Sequence, residues 1–369
     1  MYLEIESLYQ LEDHIYEQKQ LIGVAIQGLD LRTKTADLLK CTIQSSFFLG
    51  CQFAPEVLAH IQKNNNFIVP FIPNLPYNPF RPKLYEPLEL LKGYVRGDHD
   101  SFSEKSVDSA IYKVFKQSKP ADVISSMTQR LHDHAIDDAL EAILDLGDRK
   151  LKVVGIMGGH SMKRNDENYA KIAHLGYRLT KKGFFVATGG GPGAMEAGNL
   201  GAYLSRYEEK AVDDAIAMMK EAPTFRDKGW FDTALDVREK YPSFVPSLGV
   251  PTWFYGHEPS NLFASHHAKY FANSIREDGL LRICYGGVIY APGKAGTVQE
   301  IFQDACQNHY KTCKYVSAMV LLDKEYWTNV KPVMPLLASL SKDRLYEKMI
   351  TAVDDIDEAI RYLSENPPI

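Results

Sequence analysis

Three glycine-bearing segments constrain this chain more than any other feature: GIMGGHSMKR (Gly155 to Arg164), TGGGPGAMEA (Thr188 to Ala197) and APGKAGTVQE (Ala291 to Glu300). Each leaves a short apolar run and leads into a helical or polar stretch. Glycine in such a place lets backbone approach a ligand or take φ > 0, and the unpaired amides at the following helix start attract an anion. The runs alternate with helical patterns. In order they are LKVVGIM (Leu151 to Met157), a helix around Asn168 to Lys181, FFVAT (Phe184 to Thr188), a helix from about Ala194, LGVPTWFY, a helix through Phe271, GGVIYAP, a helix from Thr297, and SAMVLL (Ser317 to Leu322). A polar helical stretch (Arg206 to Glu221) and an irregular insertion (Pro223 to Pro246) precede LGVPTWFY. Five apolar runs trading places with helices predict an α/β fold: a doubly wound, parallel-sheet Rossmann-like domain with ligands at the carboxyl ends of its strands.

The 369 residues suffice for two or three domains. The charged connector Gly147-Asp148-Arg149-Lys150 marks the expected boundary, between residues 1–147 and 148–369, the second part ending in C-terminal helices. Before it, LIGVAIQ (Leu21 to Gln27) and SSFFLGC (Ser45 to Cys51) read as strands, and a helix opens after Ser118, at Lys119-Pro120, and runs to about Leu146. This half is expected to be a smaller, mixed α+β domain. Pro70, Pro73, Pro76, Pro79 and Pro82 recur at the period of a polyproline II helix, which fits a docking strap or a plain extended linker.

Charge and cysteine usage narrow the function classes. Lys and Arg number 42 against 47 Asp and Glu, with no dense basic block, which argues against a nucleic-acid partner. Five cysteines without a CxxC pair point to reduced thiols and a cytoplasmic location, with no disulfide framework and no metal site. Glu4 and Glu6 stand where a signal peptide carries basic residues, and no apolar stretch approaches about 18 residues, so neither export nor a membrane partner is expected. Gly189, Gly191 and Ala194 satisfy only the loose dinucleotide fingerprint, after the second strand rather than the first and without an acidic ribose ligand about 20 residues on. No GxxxxGK[ST] occurs. A nucleoside monophosphate or another single-phosphate ligand fits these loops best.

GGHSM, TGGGPGAMEAGNLGA, HEPSN and PGKAGTVQE together resemble the Rossmann nucleotide-hydrolase family that includes the Lonely Guy (LOG) phosphoribohydrolases, also labelled lysine decarboxylase-like. GGHS and GPGAM are most similar to its larger branch, the bacterial pyrimidine/purine nucleotide 5'-monophosphate nucleosidases. The resemblance covers about Leu151 to Leu322. It implies hydrolysis of a nucleoside 5'-monophosphate to free base and ribose 5-phosphate, no cofactor, and a homo-oligomer. The alternative is a nucleotide-binding sensor of the same fold without turnover.

The resemblance also implies site residues. Glu300 is the expected catalytic carboxylate, in the first turn after the glycine loop, where the helix dipole favours its charge; by spacing, Thr297-Val298-Gln299-Glu300 is equally a capping box. The family's catalytic arginine lies about 15 residues before the motif's proline, and Lys269 and Arg276 are its substitutes here. Gly293, Gly296 and Thr297 are expected at the phosphate, with Gly158, Gly159, Gly189, Gly190, Gly191 and Gly193 lining the other loops. His160, Ser161, Arg164, Glu258 and Asn261 are candidate ligand contacts, and Glu196 touches ribose or forms a surface ion pair. Lys294, which replaces the motif's second glycine, is either a tolerated side chain or an added cation.

Overall fold

The chain, described in a computed structural model over residues 2–118, 121–144 and 151–369, forms two units that interleave in sequence. Met1–Leu84 belongs with Ser118–Ala142, and Tyr85–Gln117 with Ile143–Ile369. This differs from a single cut at Gly147, because residues 85–117 make their contacts with the second unit. The connector Gly147 to Lys150, Leu146, and the Lys119-Pro120 pair lie outside the described residues.

In the first unit strands β1 (Leu3–Ile5), β2 (Gln20–Ile22), β3 (Val24–Gln27), β4 (Thr42–Gln44), β5 (Phe47–Leu49) and β6 (Phe67–Val69) form two parallel sheets, ordered β1-β3-β5-β6 and β2-β4. LIGVAIQ is thus two strands, broken at Gly23, whose φ is +66°. Helices Leu8–Gln18, Thr35–Lys40 and Pro55–Ile61 follow β1, β3 and β5, so strand and helix recur coil upon coil. Ile5, Ile26 and Phe48 stack in register along the sheet and share one core with Leu11, Leu38 and Val57. The proline segment is not a polyproline helix: Asn74 takes φ +64° and turns the chain. Tyr77 and Phe80 are buried instead, with the Tyr77 hydroxyl 2.9 Å from Thr128 Oγ1. The long helix Val123–Leu144 begins behind Asp122, which accepts from the Ser125 amide at 2.9 Å.

The second unit is built on a seven-stranded parallel sheet, β7 (Val153–Met157), β8 (Phe185–Thr188), β9 (Leu248–Gly249), β10 (His266–His267), β11 (Val288–Tyr290), β12 (Met319–Leu322) and β13 (Ile350–Val353), in the order β10-β9-β8-β7-β11-β12-β13. The expected doubly wound α/β architecture is present, with two more strands than the five apolar runs. From β7 the chain winds outward through β8, β9 and β10, then restarts at β11 on the other side of β7. The carboxyl ends of β7 and β11 are therefore the switch point at which connections diverge and a crevice opens.

Two local expectations change. The stretch through Phe271 is extended rather than helical: β10 is followed by Tyr270, whose amide bonds the Pro251 carbonyl at 3.1 Å, and the helix begins only at Asn273. Cross-strand partners outweigh local helical propensity there. The insertion before β9 holds a helix, Trp230–Lys240. Among the described residues no helix is long and apolar enough to cross a membrane.

Helices Glu167–Lys181 and Ala194–Leu204 pack backbone to backbone, because a Cβ at Gly176 would strike the Gly198 carbonyl and one at Gly201 the Ala173 carbonyl. This contact sets where the second of those helices starts beneath its glycine loop. Gly201→Ala is expected to lower unfolding free energy by ~1–3 kcal/mol through overpacking. Gly279→Ala, in a helix with nothing near the added methyl, should instead raise it by about 0.5–1 kcal/mol. Urea unfolding of both variants checks the pair.

Candidate functional site

The three glycine loops meet at the switch point. The Gly159 amide donates to the Pro292 carbonyl (3.3 Å), and the Ala194 amide to the Gly159 carbonyl (3.2 Å). Between them opens a cleft of about 170 Å³. Gly158, Gly159, His160 and Ser161 line it after β7, Gly189 and Gly191 after β8, and Lys294, Gly296, Thr297 and Glu300 after β11. Glu258 and Arg276 are the other sequence-expected residues that reach it, and Pro251, Tyr255 and Glu277 join them.

The anion-attracting part is the helix Ala295–Tyr310. Its own bonding starts with the Val298 amide donating to the Lys294 carbonyl (3.0 Å), so the amides of Ala295, Gly296 and Thr297 project from its first turn. Nothing lies within 4 Å of a Cβ built on Gly296, which leaves this turn open to a ligand. Gly293 does not face the cleft. A Cβ there would strike the Thr297 side chain, and its carbonyl accepts from the Tyr326 hydroxyl. Because the helix begins at Ala295, Thr297 is not its N-cap and Glu300 lies in its second turn, where no capping box can form.

Glu300 is accordingly no dipole-stabilised surface carboxylate. Its side chain is 12% exposed, with Oε1 3.5 Å from Arg276 Nη1. Burial raises its pKa to about 7, against the opposing pull of Arg276 and with a further push from Glu277. One turn on, burial likewise raises Asp304 to about 7, despite a 2.7 Å bond from the Tyr290 hydroxyl. Asp304 does not line the cleft. Arg276 is held by its Nε donating to the Val250 carbonyl at 2.7 Å. A Cβ on Gly189 would lie 2.5 Å from Arg276 Nη2, so glycine is needed here to make room for the guanidinium.

Several sequence-expected residues serve the scaffold instead. Lys269 is fully buried, its Nζ 2.7 Å from Asp108 Oδ1 and 3.2 Å from Ser260 Oγ, and it does not reach the cleft. Trp253 Nε1 donates to the same Asp108 oxygen at 2.9 Å. Burial pushes the Asp108 carboxyl up, but Lys269 and His257 outweigh it and hold it at about 2. His257 is sandwiched between Phe102 and Tyr112, centroids 4.8 and 4.9 Å away, which ties the cleft loop around Gly256 and Glu258 to the segment 85–117.

Arg164 and Glu196 form a buried bidentate pair (2.9 and 2.6 Å), with Tyr169 donating to the same carboxylate at 3.0 Å. Arg164 also donates to the Trp230 carbonyl at 3.0 Å, so neither charge is left for a phosphate or ribose. Gly190 (φ +75°) turns behind the cleft against Gly249 and Pro251. Gly193 (φ +73°) caps its helix against the Gly159 and His160 carbonyls. Asn261 is a brace: its Oδ1 accepts the Phe263 and Ala264 amides at 3.0 and 3.1 Å. The charged cleft residue not expected from the sequence is Glu277. Its only signal was position, next to Arg276, where a surface ion pair explains it equally well.

Two outcomes follow from these charges. Lys269→Met leaves Asp108 buried without its ammonium partner and is expected to cost ~3–5 kcal/mol in denaturant unfolding. Glu300 takes up its proton more readily in the folded chain than in the unfolded one. Its contribution to stability is full below ordinary carboxylate values and is lost as pH rises through about 7. Glu300→Gln should flatten that part of the stability–pH curve, leaving the part due to Asp304.

Searched by sequence, the chain matches no protein family and no curated protein. Similar solved structures include the molybdenum cofactor binding protein from the phototrophic bacterium Rippkaea orientalis, 15% identical over 59% of this chain and 98% of that one, with a TM-score of 0.38. The molybdenum cofactor carrier protein from Chlamydomonas reinhardtii is similar at 14% identity over 58% of this chain and 98% of its own, with a TM-score of 0.35.

Proposed function

We propose that this chain hydrolyses the N-glycosidic bond of a nucleoside 5'-monophosphate, releasing free base and ribose 5-phosphate. The observation that carries the reading is the union, in one switch-point cleft, of an open helix N-terminus with a buried Arg276–Glu300 pair. The amides of Ala295 to Thr297 would anchor the phosphate, with Lys294, exposed at the rim, adding charge. An anchored phosphate fixes the sugar, so that positioning supplies part of the rate.

Cleavage moves the C1'–N electron pair onto the base and leaves positive charge on the sugar. Glu300, which keeps its proton up to about pH 7, gives that proton to the departing nitrogen. Arg276, 3.5 Å away, stabilises the carboxylate that results. No redox or group-transfer cofactor is required for this step.

The test is a panel of nucleoside 5'-monophosphates watched for free base. Base release is expected from at least one member, and the matching nucleoside without its phosphate should bind more weakly by at least ~2 kcal/mol. Glu300→Gln should lower turnover by ~10²-fold or more while binding persists. In the wild type, turnover should fall as pH rises through about 7 and the donor is lost. Tight binding of a monophosphate with no base released at single-turnover enzyme concentrations would make this a sensor.

A further inference from the structure

We propose that Glu277 is the second catalytic carboxylate of the cleft, the group that accepts the proton of the attacking water while Glu300 supplies one to the leaving base. This rests on the hydrolytic reading above and extends it. Glu277 is 8% exposed and lines the cleft. Arg276 Nη1 lies 3.9 Å from its Oε1 and 3.5 Å from that of Glu300, so one guanidinium faces both carboxyls. Donors reach both Glu277 oxygens: Gln299 Nε2 bonds Oε2, and the Tyr255 hydroxyl approaches Oε1 at 3.5 Å. Tyr255 is itself fixed by Asn273 Nδ2 at 2.9 Å. Gln299 adjoins Glu300 in the chain, so the bond that orients Glu277 also sets it relative to the proton donor.

Charge balance distinguishes this cluster from the structural pairs. Arg164–Glu196 and Asp108–Lys269 each bury one cation with one anion. The cleft buries two carboxyls with one guanidinium, an arrangement that burial opposes and a fold does not need. It suits a reaction in which positive charge arises at the sugar. The steps balance without a further reactant. The C1'–N bond breaks with its electron pair going to nitrogen, which takes the Glu300 proton. Water oxygen bonds to C1' and its proton passes to Glu277. Solvent at the cleft mouth then returns one proton to Glu300 and removes one from Glu277.

The experiment compares wild type, Glu277→Gln and Glu277→Ala with the best monophosphate of the panel. Glu277→Gln is expected to lose ~10²-fold or more in kcat, with monophosphate Kd within about threefold and the acid limb of the pH–rate profile abolished. Glu277→Ala should be rescued by sodium azide, giving the glycosyl azide 5-phosphate, because a small anion needs no base to attack C1'. If Glu277 only holds Arg276, turnover falls but the acid limb remains and azide does nothing, which overturns the proposal. Turnover of Glu277→Gln within threefold of wild type overturns it while leaving the hydrolase reading intact. Absence of base release by the wild type overturns both. Should Glu277→Ala fail to fold, the Glu277→Gln pH profile decides alone.

Discussion

A guanidinium withdrawn from water needs acceptors for its donors, and Arg276 finds them beyond β9, on its own helix and on the helix after β11. Its Nε bonds the Val250 carbonyl beyond β9, and its Nη1 faces Glu277 and Glu300. Gly189 is bare so that Nη2 can lie against it. Without this cation, two carboxyls lying together in a cleft partly closed from water would resist ionising further. The side chain thereby couples the ends of β8, β9 and β11, and the charged part of the cleft inherits its geometry from that coupling. The strand order supplies the opening, because connections diverge only between β7 and β11.

Charged residues in this unit fall into two kinds that the sequence alone does not separate. Arg164, Glu196 and Lys269 have the chemistry of ligand contacts and neighbour the right motifs, yet each is satisfied inside the scaffold. Buried one-to-one pairs of this kind hold loops in place: Asp108, through Lys269 and Trp253, fixes the backbone that carries the Gly256 and Glu258 wall. The remaining charges differ in reaching the cleft, where two carboxyls, Glu277 and Glu300, face one guanidinium. Burial raises Glu300 to about 7, so the second carboxyl beside Arg276 is held in its neutral form below that pH.

The glycine loops and alternating sheet were legible because their signals are local: an apolar run, a glycine, a helix start. Arg276 was singled out, together with Lys269, only through the family resemblance, and the structure puts Arg276 in the cleft and Lys269 outside it. The strand at His266–His267 was not legible, since its partners, Tyr85 and Leu248–Gly249, lie far away in the chain. The same reason hides the kinship of residues 85–117 with the second unit. The recurring strands of the first unit escaped notice because the helices between them differ in length, 11, 6 and 7 residues, which blurs the period. The capping-box reading of Glu300 failed by three residues: an N-cap at Lys294 instead of Thr297 moves the carboxyl from the first turn inward.

The Asp108–Lys269 pair joins two stretches of chain that leave the ribosome far apart in time. About 160 residues separate them, and at ~5–20 residues per second Asp108 waits on the order of 8–30 s for its counter-charge. During that interval a carboxylate destined for full burial has no cation to accompany it, so the segment around it has to stay hydrated. The first unit, by contrast, is assembled from residues that have all emerged by position 142. The second unit can therefore bury Asp108 with its partner only once Lys269 has emerged.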